Sequence, residues 1–381
     1  MIITYIVPAL TPYAIPRYQA LAKLPDTEVH VIVEENINAE HPSWYFREID
    51  GVHMHLVNNT LRKNFVLTNK NDKYYAKYTR IFSFGLKQMI KEINSDIVLV
   101  CNSTQIMMLI GKQDNKLGVV VEDTLRCQES RSRFKRIIKK AMLKRADFYI
   151  PFTTDAMEFL KFNDIYEPII HSSWSIDIPF FADLDDDSKK QFRIVNGIDA
   201  KINFVLVANL IPRKGVIQFL DGWFAMNQTF HQDSKLFILG DGELYNQIDE
   251  RLRMKKNNNV KLLGNKSYKE VSHYLQCCDI FVLPTLEDLC SLSVLEAMAS
   301  GRPVLTTIYN GARDFVKDGV NGYIFDVFDK ESTTSVLEKV QKSDLRKMSA
   351  MSKQMILDYS TDKVMSKLRS DLEEILKEPR T

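Results

Sequence analysis

The sequence predicts an α/β protein built from two Rossmann-like, doubly wound domains. Three observations carry that expectation. Apolar strand-like runs alternate with helically spaced stretches along nearly the whole chain, which implies parallel sheets covered by helices on both faces. The 381 residues leave room for two such domains. A stretch with little apolar content, Phe181–Lys190 (FADLDDDSKK), separates the halves as a linker and sets the expected division at 1–187 and 188–358, followed by a terminal segment 359–381.

In the first half the expected strands are Ile2–Val7, Val29–Val33, Ile97–Cys101, Gly118–Val121, Phe148–Pro151 and Pro168–His171, with helical stretches that include Lys77–Ile93 and Arg133–Lys144. In the second half, strands at Asn203–Val207, Lys235–Leu239, Val260–Leu263, Asp279–Leu283 and Pro303–Thr307 are each followed by a helical pattern, and Gln191–Val195 reads as the first helix. The last helix is capped by Ser360 or Thr361 and carries an apolar stripe, Val364, Met365, Leu368, Leu372, Ile375 and Leu376, which needs a partner surface.

Composition narrows the class. An apolar fraction of 45% and a charged fraction of 26% are those of an ordinary globular protein. The net charge of +2 gives no global reason to bind nucleic acid. Cys101, Cys127, Cys277, Cys278 and Cys290 have neither metal-ligand nor secreted-domain spacing, so reduced thiols in a cytoplasmic protein are expected. Met1–Pro8 reads as a first strand, and no apolar run is long enough to span a bilayer.

The most informative stretch is Pro284–Val304, PTLEDLCSLSVLEAMASGRPV. A strand ending in proline leads through an acidic, serine-bearing loop into a helix, an arrangement that turns backbone N–H groups toward an anion. Asp288 and Glu296 flank that loop, and carboxylates beside an anion site suit the hydroxyls of a sugar or ribose. By residue type alone, a helix cap at Asp288 and a solvated acid at Glu296 fit equally. Val207–Gly215 (VANLIPRKG) is another strand-to-helix turn, whose Arg213 and Lys214 suit a diphosphate or a solvated loop. Leu239–Glu243 (LGDGE) and Leu263–Ser267 (LGNKS) are glycine turns of the same kind.

In order and together, these motifs over Asn203–Phe328 resemble GT-B glycosyltransferases of family 4. Val294–Val304 matches closely, and Lys214 matches the family lysine on the donor diphosphate. Asp288 stands where glutamate is usual, Leu289, Cys290 and Ser291 where Gly-Phe-Gly is usual, and Asn209 at an arginine position. Asn310–Ala312 and Lys317–Tyr323 resemble the family's turn before its last strand. The resemblance implies two domains facing across a cleft, with the last helix packing back on the first.

It also implies retaining transfer of a sugar from a nucleotide-diphosphate donor, with UDP favoured. The acceptor would be a hydroxyl of a glycan or lipid-linked saccharide in surface-polysaccharide synthesis. Lys214 and Arg213 would stabilise the departing diphosphate, Asp288 would hold sugar hydroxyls and Glu296 the ribose diol. Asn209, Gly240, Lys266, Leu289, Cys290, Ser291 and Leu292 would complete the donor site, and no metal or cofactor is expected. A sugar-nucleotide epimerase or a non-catalytic sugar-nucleotide-binding protein of the same architecture remains an alternative.

On the acceptor side, Thr11–Arg17 resembles the family subset with a Pro-Tyr-x-x-Pro turn, so Tyr13 and Arg17 face the acceptor or simply turn the loop into a helix. Glu122 and Asp123 stand where some relatives carry a histidine near the reacting sugar. Arg131–Arg145 (RSRFKRIIKKAMLKR) holds eight cations and no acid, with Phe134, Ile137, Ile138, Ala141 and Met142 on one helical face. Such a helix lies on an anionic membrane, at about 1 kcal/mol per cation, or is the solvated face of a core helix. Asp183–Asp187 reads as solvated linker rather than a metal clip.

Overall fold

The computed structural model describes residues 1–36, 45–69, 74–109, 114–121, 133–166, 168–255 and 259–379. The chain forms two compact units, one of residues 1–175 with 361–381 and the other of residues 176–360.

In the first unit, β1 (Ile2–Val7), β2 (Glu28–Val33), β3 (His53–Leu56), β4 (Thr60–Asn69), β5 (Tyr74–Ser83), β6 (Ile97–Val100), β7 (Lys116–Val121) and β8 (Phe148–Pro151) follow in sequence. Six of them form one parallel sheet in the order β3-β2-β1-β6-β7-β8, while β4 and β5 pair as a separate antiparallel hairpin. Strands such as β6 (IVLV) are buried along their whole length, as a sheet covered on both faces requires. Neighbouring residues therefore serve different cores: Val31 and Leu99 belong to one apolar cluster, Ile32 and Val98 to the other.

The second unit holds β9 (Ile202–Val207), β10 (Ser234–Leu239), β11 (Val260–Leu262), β12 (Ile280–Leu283), β13 (Val304–Thr307) and β14 (Gly322–Phe325), a parallel sheet in the order β11-β10-β9-β12-β13-β14. Setting the hairpin aside, both sheets have the same doubly wound strand order, with the direction of winding reversing between β1 and β6 and between β9 and β12. Ligands of such sheets bind beyond the strand C-termini at that reversal.

Several expectations need correction. Lys77–Ser83 is strand, part of β5, and the helix starts only at Leu86 after Gly85 at φ +92°. Aromatic and β-branched residues in YYAKYTRIF suit a strand and override the helical spacing. Pro168–His171 contributes a single bridge, Ile169 to Tyr149, since Pro168 brings no N–H.

The acids of the run Asp183–Asp187 are exposed, as expected, but the run is not a linker between the units. Asp185 caps the helix Asp186–Asn196 by accepting from Ser188 N at 2.7 Å, and Asp183 accepts from Gln276 Nε2 at 2.8 Å. These bonds hold 176–187 to the second unit, ahead of the expected 187/188 break. The terminal helix Thr361–Lys377 buries Val364, Met365, Leu368, Leu372 and Ile375 in the first unit's core with Tyr18 and Leu21, while Leu376 is exposed.

Candidate active site

The chemistry-bearing side chains of the second unit gather at the winding reversal between β9 and β12. After β9 the chain makes a 3-10 turn, Pro212–Lys214, and reaches Gly215 at φ +65°. A Cβ at Gly215 would lie 2.0 Å from the Pro284 carbonyl oxygen, so only glycine lets the two loops approach this closely. Leu286 N donates to the Arg213 carbonyl at 2.8 Å and Thr285 Oγ1 donates to it at 3.0 Å, tying the loops together.

That closeness creates an ion cluster. Lys214 Nζ donates directly to Asp288 Oδ2, and Arg213 Nη1 lies 3.4 Å from the same oxygen while donating to the Glu287 carbonyl at 2.7 Å. The Lys214 and Asp288 side chains are 14% and 12% exposed, so the pair is largely desolvated. Burial draws the Lys214 pKa below its ordinary value, with Asp288 opposing. Burial by itself would raise the Asp288 carboxyl, but Lys214 and Arg213 outweigh it and hold the pKa at about 2. The acid expected on sugar hydroxyls is thus the direct partner of the lysine expected on the diphosphate.

The loop then opens the helix Leu292–Ala299 with Ser291 at its N-cap, and no acid occupies its first turn. Its leading N–H groups have no partner within the helix and carry the positive end of the dipole. Asp288 is not the cap. Its backbone bridges Asn310, giving N–H to the Tyr309 carbonyl at 3.2 Å and accepting from Gly311 N at 2.9 Å.

Glu296 is 7% exposed rather than solvated, and it accepts from Tyr268 Oη at 3.1 Å. Burial pushes its pKa up to about 7, against the lowering effect of that hydrogen bond. Tyr268 stacks on Phe180 at 4.8 Å with 20° between planes. Sequence reasoning missed Tyr268 because its partners lie far away in the chain.

The other expected donor residues divide. Gly240 (φ +137°) seats against the loop after β9, where a Cβ would come within 1.9 Å of the Ala208 oxygen, and its N–H donates to the Gly264 carbonyl at 2.8 Å. Asn209 lies exposed in that same loop, and Leu289, Cys290 and Leu292 are half-buried around Ser291. Lys266 stands apart from the ion cluster, 3.4 Å from Glu270 Oε1.

In the first unit, a cavity of about 220 Å³ opens at the equivalent reversal, where β1 and β6 end. Tyr13 and Arg17 both line it. The Arg17 guanidinium lies 5.2 Å from the Phe152 ring centre and 4.9 Å from that of Trp174, and its buried Nε finds no hydrogen-bond partner among the described residues. Phe152 and Trp174 carried no signal in the sequence. Glu122, Asp123 and Arg131 lie outside the described residues.

The two parallel, doubly wound sheets give the chain the GT-B fold. Anabaena HepE in complex with UDP and glucose superposes with a TM-score of 0.73 at 14% identity, over 98% of this chain and 100% of that one. Residues 187–356, which carry the whole ion cluster, match the family model for glycosyl transferases group 1.

Among similar sequences, an uncharacterized glycosyltransferase of Methanocaldococcus jannaschii is 27% identical over 203 residues, 50% of this chain and 56% of that protein. The UDP-Gal:alpha-D-GlcNAc-diphosphoundecaprenol alpha-1,3-galactosyltransferase of Escherichia coli is 29% identical over 151 residues, 39% of this chain and 38% of that protein. The chain thus spans between a third and three-fifths of the length of these relatives.

Proposed function

We propose that this protein is a glycosyltransferase of the family 4 type, moving a sugar from a UDP-sugar to a hydroxyl of a lipid-linked saccharide with retention of configuration. The observation that carries the reading is the half-buried Lys214–Asp288–Arg213 cluster, next to a helix start with no acid in its first turn, with Asp288 eight residues ahead of buried Glu296. The donor diphosphate competes with Asp288 for Lys214 and Arg213, and the first N–H groups of the helix at Leu292 share its charge. Asp288, released from Lys214, accepts from sugar hydroxyls, and Glu296 accepts from the ribose diol.

The acceptor oxygen bonds to the anomeric carbon on the face from which the diphosphate leaves. The bond from that carbon to the β-phosphate oxygen breaks, and the acceptor proton passes to the departing phosphate. Two cations and a helix dipole suffice for this charge, so the donor site is assigned no divalent ion. The first unit's cavity takes the acceptor, with Arg17 between two aromatic rings facing an anionic group on it. The relative from Escherichia coli is named for a diphosphoundecaprenol-linked acceptor, which fits an apolar cavity holding one cation.

Work at the inner face of an anionic membrane follows, with the helix Arg133–Leu143 as the contact. Phe134 and Ile137 are 71% and 66% exposed there, while Leu143 anchors the helix in the core.

The test is a thermal-shift screen across nucleotide sugars, followed by transfer kinetics on the best ligand. A UDP-sugar in large excess over its dissociation constant should stabilise the protein by about 3 kcal/mol or more. Lys214→Ala should slow transfer by about 10²-fold or more, and Lys266→Ala far less. Equal losses in the two variants would remove the diphosphate assignment. Conversion of the donor to a rearranged nucleotide sugar without acceptor would make the protein an epimerase instead.

A further inference from the structure

A second cluster of chemistry-bearing side chains lies in the first unit, on the sheet edge formed by β2 and β3. Glu28 and His30 alternate along β2, and His53 and His55 along β3. The strands pair in parallel with His30 opposite His53 and Ile32 opposite His55, so all four side chains fall on one face of the sheet. Two short patterns, Glu-x-His and His-x-His, are brought together only by this register.

The geometry is that of a ligand set. His30 Nε2 lies 2.9 Å from Glu28 Oε1, and His53 Nε2 lies 3.4 Å from the same oxygen. The three ligand atoms all lie within 4.8 Å of one another. A tetrahedral zinc ion with bonds of about 2.0–2.1 Å holds its ligand atoms about 3.3 Å apart, so small rotations complete the site. Those rotations fall on side chains free to make them, since Glu28 is 47% and His53 60% exposed, whereas His30 is buried and fixed.

His30 is fixed in the manner metal ligands are. Its Nδ1 lies 2.9 Å from His55 Nε2, and donation of that N–H to His55 leaves the Nε2 lone pair directed at the site. The His53 ring stacks on His30 at 4.6 Å with 19° between planes, so the exposed His53 must rotate to turn its in-plane lone pair to an ion beside His30 Nε2.

We propose that Glu28, His30 and His53 bind one divalent transition-metal ion, with water in the fourth position and His55 orienting His30. Two imidazole nitrogens and one carboxylate oxygen favour zinc over magnesium or calcium. The ion clamps β3, a four-residue edge strand whose sheet neighbour among the described residues is β2 alone. The site is independent of the donor reading, since every ligand comes from the first unit.

The experiment is a zinc titration of tag-free, chelator-stripped protein against a chromophoric competitor, with melting curves in parallel. Wild type should bind one equivalent and melt higher with zinc than without, and a tenfold excess of magnesium should not displace the zinc. His53→Ala and Glu28→Gln, both at exposed side chains, should lose that equivalent while keeping the metal-free melting temperature. His55→Ala should weaken binding about 10–100-fold, as for a residue that orients a ligand, and His171→Ala should change nothing. An unaltered equivalent in both His53→Ala and Glu28→Gln, or no saturable binding by wild type, would overturn the proposal. So would equal loss in His171→Ala.

Discussion

At the residue scale, Glu296 shows how position sets protonation. Its carboxyl is 7% exposed and has Tyr268 as its hydrogen-bond donor, and burial raises its pKa from 4.5 to about 7. A raised folded-state pKa contributes stability that is complete below the unfolded value and is lost as pH rises through the folded one. The ligand-free protein should therefore lose stability between about pH 4.5 and pH 7, by at most about 3 kcal/mol. Glu296→Gln should flatten that slope, which melting curves across the range will reveal; an identical slope in the variant would count against the assignment. On the proposed reading, donor binding should move the other way, tightening as pH rises through 7, because a ribose diol held by Glu296 needs the carboxylate as acceptor. The presence of Glu296 was legible from its place in LSVLEAMA. Its burial was not, because Tyr268 and Phe180 arrive from other segments.

At the scale of elements, the proposed donor site depends on two loops that touch through one glycine. Gly215 combines φ +65° with the Pro284 carbonyl 2.0 Å from where a Cβ would stand. Gly197 has the same φ of +65° at the end of the helix Asp186–Asn196, but open space around it. The pair separates backbone preference from close approach. Gly197→Ala should cost about 1 kcal/mol, the penalty of a left-handed residue with a side chain. Gly215→Ala carries that penalty and also forces the loops apart, so it should cost clearly more and weaken donor binding. Urea unfolding of the two variants provides the comparison, and equal midpoints would show that the loops do not meet as described.

Elements were legible where local pattern and tertiary need agreed. β9, β10, β12 and β13 follow their apolar runs to within a residue. β5 did not, because spacing suggested a helix while aromatic and β-branched content favoured pairing with β4. β3 was missed because four residues alternating His-Met-His-Leu give little apolar signal, and the edge strand owes its place to β2.

At the scale of the whole molecule, the helix Arg133–Leu143 bears on where the protein works. Met142 and Leu143 pack toward the first unit's core, so the apolar face expected from the sequence divides, and Phe134, Ile137, Ile138 and Ala141 remain outward. Exposed aromatic and aliphatic side chains among cations suit an anionic bilayer. The protein should sediment with phosphatidylglycerol vesicles at low salt and dissociate as salt is raised. A Phe134→Ser, Ile137→Ser double variant should lose most of that binding without a change in melting temperature, since neither side chain is in the core. Retained binding in the double variant would remove the helix from the contact.

The sequence by itself determined the two-domain α/β class, the strand-turn-helix loops of the second half and the charged residues on them, because each is written within one short segment. Tertiary structure alone decided which of those charges meet. Lys214 and Asp288 are 74 residues apart, Tyr268 and Glu296 are 28 apart, and the imidazoles of His30 and His55 are 25 apart. The physical reason is that parallel strands carry partners to one edge across long crossovers, and local propensity does not encode which strands will be neighbours.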